Sequence, residues 1–165
     1  MKGLCFNCRI DVMNDGENQF HHRLPAIKAL FNADAYDLLC LQEVNPRMRE
    51  ALLRQNPEYI ATGESRDHNG EQTPILYHKD RMELIKSETL WLTPTPKEPS
   101  TIEGSHFPRI ATIALVRSKQ DQSVFTVINT HLDYANESVQ AQQMTHLLSE
   151  LNKVPSRSTA TNFIT

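Results

Sequence analysis

Apolar side chains gather into short runs separated by polar, glycine- or proline-bearing stretches, and the runs switch between a strand period and a helix period. Residues 3–10, GLCFNCRI, read as a first strand, closed by the Asn-, Asp- and Gly-rich loop DVMNDGENQ. In residues 21–33, Leu24, Ile27, Ala29, Leu30 and Phe31 fall at helical spacings, which predicts a short helix with Pro25 tolerable only in its first turn. Residues 36–44, YDLLCLQEV, are almost continuously apolar up to Gln42 and Glu43, the mark of a strand buried on both faces. A second helix is expected over 46–55, then a short strand at EYIAT.

Past the polar loop 63–72 comes PILYHK, and RMELIKSETLWL then alternates in part and carries the one tryptophan, Trp91. The segment 93–108 holds four prolines and reads as a loop. RIATIALVR and SVFTVINTH form two strands joined by SKQDQ, a predicted hairpin. Residues 136–152 have Asn136 as N-cap and Val139, Met144, Leu147, Leu148 and Leu151 as an apolar face, which predicts a third helix. The class is a mixed sheet with flanking helices.

The chain has 165 residues, enough for one domain spanning 1–165 with its own core. Its 39% apolar and 22% charged content is that of a globular protein, neither disordered nor membrane-inserted. MKGLCFNCRID turns polar before a secretory signal could form, so a cytoplasmic location is expected. Three cysteines, Cys5, Cys8 and Cys40, read as reduced structural thiols, since a strand would aim Cys5 and Cys8 at opposite faces. A net charge of −3 gives no basic excess for holding long nucleic acid, and the loops 11–20, 63–72 and 93–108 contain no stripe of aromatic and basic residues. A nucleic-acid substrate stays open, but charge does not advertise one.

Three strands share a habit of closing on residues able to meet metal or phosphate: Asn7, Glu43, and the trio Asn129, His131 and Asp133. Each has a bland alternative. Asn7 as a buried amide, Glu43 as a first-turn helix acid and His131 as a packed imidazole all remain open at this point. Together they suit Mg²⁺ or Mn²⁺ on a carboxylate and an amide oxygen, with imidazole and asparagine on a phosphate.

The order FNCR, LCLQEV, GEQTPILYHKDRMELIKSETLWLTPTP, RIATIALV and VINTHLD resembles the endonuclease/exonuclease/phosphatase superfamily, over about residues 3–153. The resemblance implies a four-layer α/β sandwich and a Mg²⁺- or Mn²⁺-dependent phosphoesterase acting on a phosphodiester or phosphomonoester. It implies that Glu43 is the acidic metal ligand with Asn7 beside it and that His131 contacts the phosphate. Glu71 would orient that histidine, while Arg109 and Asn129 would lie against substrate. Asp133 matches the HLD pattern without an implied chemical step. Members of the family continue into a strand ending Gly-Asp-x-Asn and later a Ser-Asp-His segment. Here NFIT resembles the start of that strand, so the chain is expected to hold roughly the N-terminal two-thirds of the fold and to be feeble or inactive alone. Phe20 stands where many members carry tryptophan, and GSHFP replaces a longer tryptophan-bearing loop. The reading from another class is a non-catalytic binding protein that keeps the fold.

Overall fold

A computed structural model describes residues 1–68, 70–134 and 136–153, and the backbone of 161–164. Two four-stranded sheets lie face to face with helices outside them. The first sheet has the order β1-β2-β4-β3, from β1 (Gly3–Asn7), β2 (Leu38–Gln42), β3 (Tyr59–Thr62) and β4 (Ile75–His78). The second runs β5-β6-β7-β8, from β5 (Met82–Trp91), β6 (Ile110–Ser118), β7 (Val124–Thr130) and β8 (Thr161–Ile164). Helices α1 (Phe20–Asn32) and α2 (Pro46–Gln55) cover the first sheet, and α3 (Glu137–Lys153) the second. This is the expected four-layer sandwich.

Strand β2 shows why the layers form. Its five residues are all buried, and the period of two sends them to different cores. Leu39 and Leu41 meet Ile27 and Phe31 of α1 and Met48 and Leu52 of α2. Leu38 and Cys40 meet Ile75, Ala114, Val116 and Val127 between the sheets. Ile128 and Ala111 face outward to Leu147 of α3. Fully burying a leucine or isoleucine stabilises by about 1.5–3 kcal/mol, so a one-residue register slip in β2 would exchange two cores at once.

Local signals mostly hold. Asn45 caps α2 by accepting from Met48 N at 2.9 Å with Pro46 at the first helical position, and Asn136 accepts from Val139 N at 3.0 Å. Two boundaries differ from expectation. The first strand stops at Asn7 because Arg9 takes a left-handed φ of 53°, which ends the ladder. Pro25 falls in the second turn of α1, not the first, where its missing N–H removes one helical bond. Cys5 is exposed, while Cys8 and Cys40 are buried, and burial pushes the Cys8 thiol up to about 12. In VPSRSTATNFIT, residues 154–160 and 165 lie outside the described residues, while 161–164 pair parallel to β7. Among the described residues no helix is long and apolar enough to cross a membrane.

Candidate functional site

Strands β1 and β2 are parallel with Asn7 opposite Gln42, so both finish at the same rim. Glu43 comes next and adopts φ 56°, a left-handed conformation that costs a non-glycine residue about 1–2 kcal/mol. The turn folds its carboxylate back over β1. Oε1 accepts from Asn7 Nδ2 at 2.8 Å and Oε2 from Ile10 N at 2.9 Å, while Asn7 Oδ1 accepts from Arg9 N at 2.8 Å. Both bland readings fail here: Asn7 is exposed, not buried, and Glu43 lies ahead of the Asn45 cap, outside α2.

Strand β7 arrives at this rim from the other sheet. Gln42 Nε2 donates to Asn129 Oδ1 at 2.6 Å, which locks the ends of β2 and β7 together and leaves Glu43 and His131 just beyond the joint. The residue expected to lie against substrate, Asn129, is placed inside this joint. It is 0% exposed, and its Nδ2 donates to Leu41 O at 2.8 Å and Pro74 O at 2.9 Å. A buried amide with both ends engaged between the sheets is a clamp.

Two loops complete the rim. The stretch 63–72 is pinned to Val44 by a bridge from Gln72, with Gln72 N donating to Val44 O at 2.8 Å, so Glu71 sits beside the Glu43 turn. Glu71 Oε2 accepts from Arg66 NH1 at 3.0 Å. Its bonded partner is thus a guanidinium, and its link to His131 runs through the electrostatic field. Trp91, the single tryptophan, supports the loop by donating Nε1–H to Arg66 O at 2.8 Å. Gly63 lets this loop touch β6, since at φ 113° a Cβ would stand 2.7 Å from Thr112 Oγ1.

The second loop is held by Asp133, 0% exposed, which takes up the structural role the sequence left blank. Its carboxylate accepts from Ser105 Oγ at 2.8 Å, His106 N at 3.0 Å and Arg109 Nε at 3.4 Å. Gln143 of α3 accepts from Asp133 N at 2.9 Å. Arg109, only 6% exposed, is thereby fixed at the start of β6. The sequence reading missed Arg66, 9% exposed, because a lone arginine in a polar loop reads as solvated until the fold buries it against Glu71.

These groups share one field. Burial pushes His131 below its ordinary 6.5; the Arg109 cation adds to this, Glu43 and Glu71 oppose it, and Arg66 assists. Burial alone would raise Glu43, but hydrogen bonds from Asn7 and Ile10, with His131 and Arg109 nearby, bring it below its ordinary value. Near neutral pH the rim therefore presents a neutral His131 imidazole and an ionised Glu43, with the Arg66 and Arg109 side chains held beside them by Glu71 and Asp133. Such a set can grip a phosphoryl group, because the guanidiniums are anchored before any ligand arrives.

The donors also fit a hard divalent cation. Glu43 offers a carboxylate and Asn7 an amide oxygen, both suited to magnesium. Among the described residues no group of three His, Cys, Asp or Glu side chains closes into a cage. Magnesium commonly takes only one or two protein carboxylates and keeps water and substrate oxygens for the rest.

The architecture defines the chain as a four-layer α/β sandwich with its ionisable groups gathered where the two sheets' strands end. That fold is the fold of the endonuclease/exonuclease/phosphatase family, matched over nearly the whole chain. An endonuclease/exonuclease/phosphatase protein from Bacteroides vulgatus superposes with a TM-score of 0.89 at 26% identity, over 98% of this chain and 64% of that one. A functionally unknown conserved protein from Enterococcus faecalis V583 gives 0.91 at 30% identity, over 99% and 66%. A mannosyl-6-phosphatase from Bacteroides thetaiotaomicron gives 0.92 at 20% identity, over 98% and 62%. The chain thus spans between about half and two-thirds of the length of the solved structures it matches. No protein-family model matches the sequence, and no curated protein does.

Proposed function

We propose that this chain carries the metal-facing and phosphate-facing part of a metal-dependent phosphoesterase site, in which water displaces an alcohol at phosphorus. The observation that carries the reading is the convergence of Glu43, His131, Arg109, Arg66 and Glu71 from both sheets into one mutually interacting set. Glu43 and Asn7 would hold magnesium or manganese. The ion, when bound, supplies positive charge that neutralises and polarises a phosphoryl oxygen. His131, neutral near pH 7, offers an N–H to a phosphate oxygen, and Arg109 and Arg66 contribute fixed charge where negative charge builds. Asp133 and Glu71 keep those arginines in place, so reorganisation at the moment of reaction is small.

The Gly-Asp-x-Asn and Ser-Asp-His segments into which members of the family continue do not occur in this sequence, and their Asp and His are residue types able to take a proton from water. General acid–base groups contribute about 10²–10⁴-fold each, so turnover by this chain alone is expected to be slow. The test is hydrolysis of an aryl phosphodiester and of mannose 6-phosphate with MgCl2. A slow rate, abolished by EDTA and by Glu43→Ala, is the expected result. A rate indifferent to both treatments would sink the metal reading, and a fast one would overturn the expected slowness. Where turnover falls below detection, inorganic phosphate with Mg²⁺ should shift the His131 ring resonances in NMR. Unmoved resonances at millimolar phosphate would count against the site itself.

A further inference from the structure

The loops around the rim carry more ring surface than phosphate binding uses. Taken singly, 11–20, 63–72 and 93–108 show no stripe of aromatic and basic residues, yet the fold assembles one from separate segments. Phe107, 42% exposed, has the Arg66 guanidinium 4.5 Å from its ring centroid and that of Arg109 at 5.8 Å. Beside it, the His106 ring stacks on Tyr134, with centroids 4.8 Å apart and planes 12° from parallel. Tyr134 is 67% exposed.

A single exposed aromatic needs no explanation. This pair differs because it is built. Asp133, which fixes Arg109 on the phosphate side, also fixes His106 through its backbone N at 3.0 Å and through Nδ1 at 3.2 Å. One buried carboxylate therefore sets the spacing between a phosphate-gripping guanidinium and a ring stack. Tyr134 follows His131 by three residues, so their Cα atoms are at most about 10–11 Å apart. That is within reach of one ligand bearing both a phosphate and a ring. A parallel stack presents a flat π-face, on which a planar base can lie.

We propose that the His106–Tyr134 stack is the subsite for the nucleobase of a nucleoside phosphate whose phosphate lies at His131 and Arg109. The inference rests on the phosphate reading above and adds the substrate class. Calorimetric titration of the intact chain with MgCl2 tests it, using thymidine 5′-monophosphate, mannose 6-phosphate and inorganic phosphate as probes. The nucleotide should bind about tenfold more tightly than mannose 6-phosphate, in keeping with what base–aromatic stacking contributes. Tyr134→Ala should erase that preference while leaving inorganic phosphate unchanged, and Tyr134→Phe should keep it. Equal affinities for the two esters, or a preference that survives Tyr134→Ala, would overturn the nucleobase subsite and leave the phosphate site standing. Tighter binding of mannose 6-phosphate that Tyr134→Ala weakens would assign the stack to a sugar instead. If none of the three probes binds, the phosphate reading fails and the subsite falls with it.

Discussion

Two neighbouring pairs on the same two strands are put to opposite uses. Gln42 and Asn129 meet inside the sandwich, where Asn129 spends its amide on Gln42, Leu41 O and Pro74 O. Glu43 and His131, one and two residues further along, face a rim where each keeps capacity for a ligand. The chemistry of the side chains does not separate the pairs, since all four are polar and could serve a phosphate. Depth separates them. Inside, an unpaired polar atom costs about 1–3 kcal/mol, so the fold must satisfy it internally; at the rim water or substrate can do so.

The inner pair should therefore fail on stability and the outer pair on binding. Asn129→Leu is expected to have the largest effect, about 3 kcal/mol of lost unfolding free energy, because it strips partners from Gln42 and from two buried carbonyls. Urea denaturation with an unchanged slope would report it. A loss below about 0.5 kcal/mol, the range of ordinary surface substitutions, would dismiss the clamp and favour Asn129 as a substrate contact.

The counterpart at the rim is Glu43→Gly. Glycine accepts φ 56° freely, which recovers about 1–2 kcal/mol of backbone cost, while the bonds from Asn7 and Ile10 are lost at about 0.5–1.5 kcal/mol each. The two effects nearly offset, so stability should stay within about 1 kcal/mol of the parent. Mg²⁺-dependent phosphate binding, read by NMR, should disappear. A collapse in stability with binding retained would make Glu43 a structural turn residue and erase the contrast between the pairs.

How far the sequence discloses this division can be followed residue by residue. The period of two places Val127, Asn129 and His131 on one face, and Val127 lies in the inter-sheet core, so alternation already aims Asn129 inward. What alternation cannot give is where the strand leaves the core, which depends on Gln42 arriving from the other sheet. The strand-end positions of Asn7, Glu43 and His131 were legible because apolar runs stop visibly there. Arg66 was not, because its burial depends on a loop pinned to Val44 and on Trp91 beneath it, contacts distant along the chain. The Phe107 and Tyr134 surfaces are hidden in the sequence for the same reason: no single loop carries the stack, and the rings meet only after Asp133 draws the segments together. Arg9 hid the end of β1, since nothing in its identity announces a left-handed backbone.

The smallest effect expected is a pH dependence that isolates the rim histidine. Burial and the neighbouring Arg109 lower His131 from its ordinary 6.5 in the native state, so the unfolded chain binds this proton more readily. Stability contributed by the neutral imidazole is then complete above about 6.5 and is lost as pH falls from there towards the lowered native value. Glu43, also lowered, contributes in a separate window, with stability present above its ordinary 4.5 and lost below it. Melting temperatures of the parent and His131→Gln, compared from pH 7.5 to 5, should therefore diverge below about 6.5, with the variant losing less on acidification. Added inorganic phosphate with Mg²⁺ should shrink the difference, because a bound anion favours the imidazolium and raises the native pKa. Parallel curves with and without phosphate would mean that His131 is not in the field of Arg109 and Glu43, and the rim would then lose the group on which charges from both sheets act.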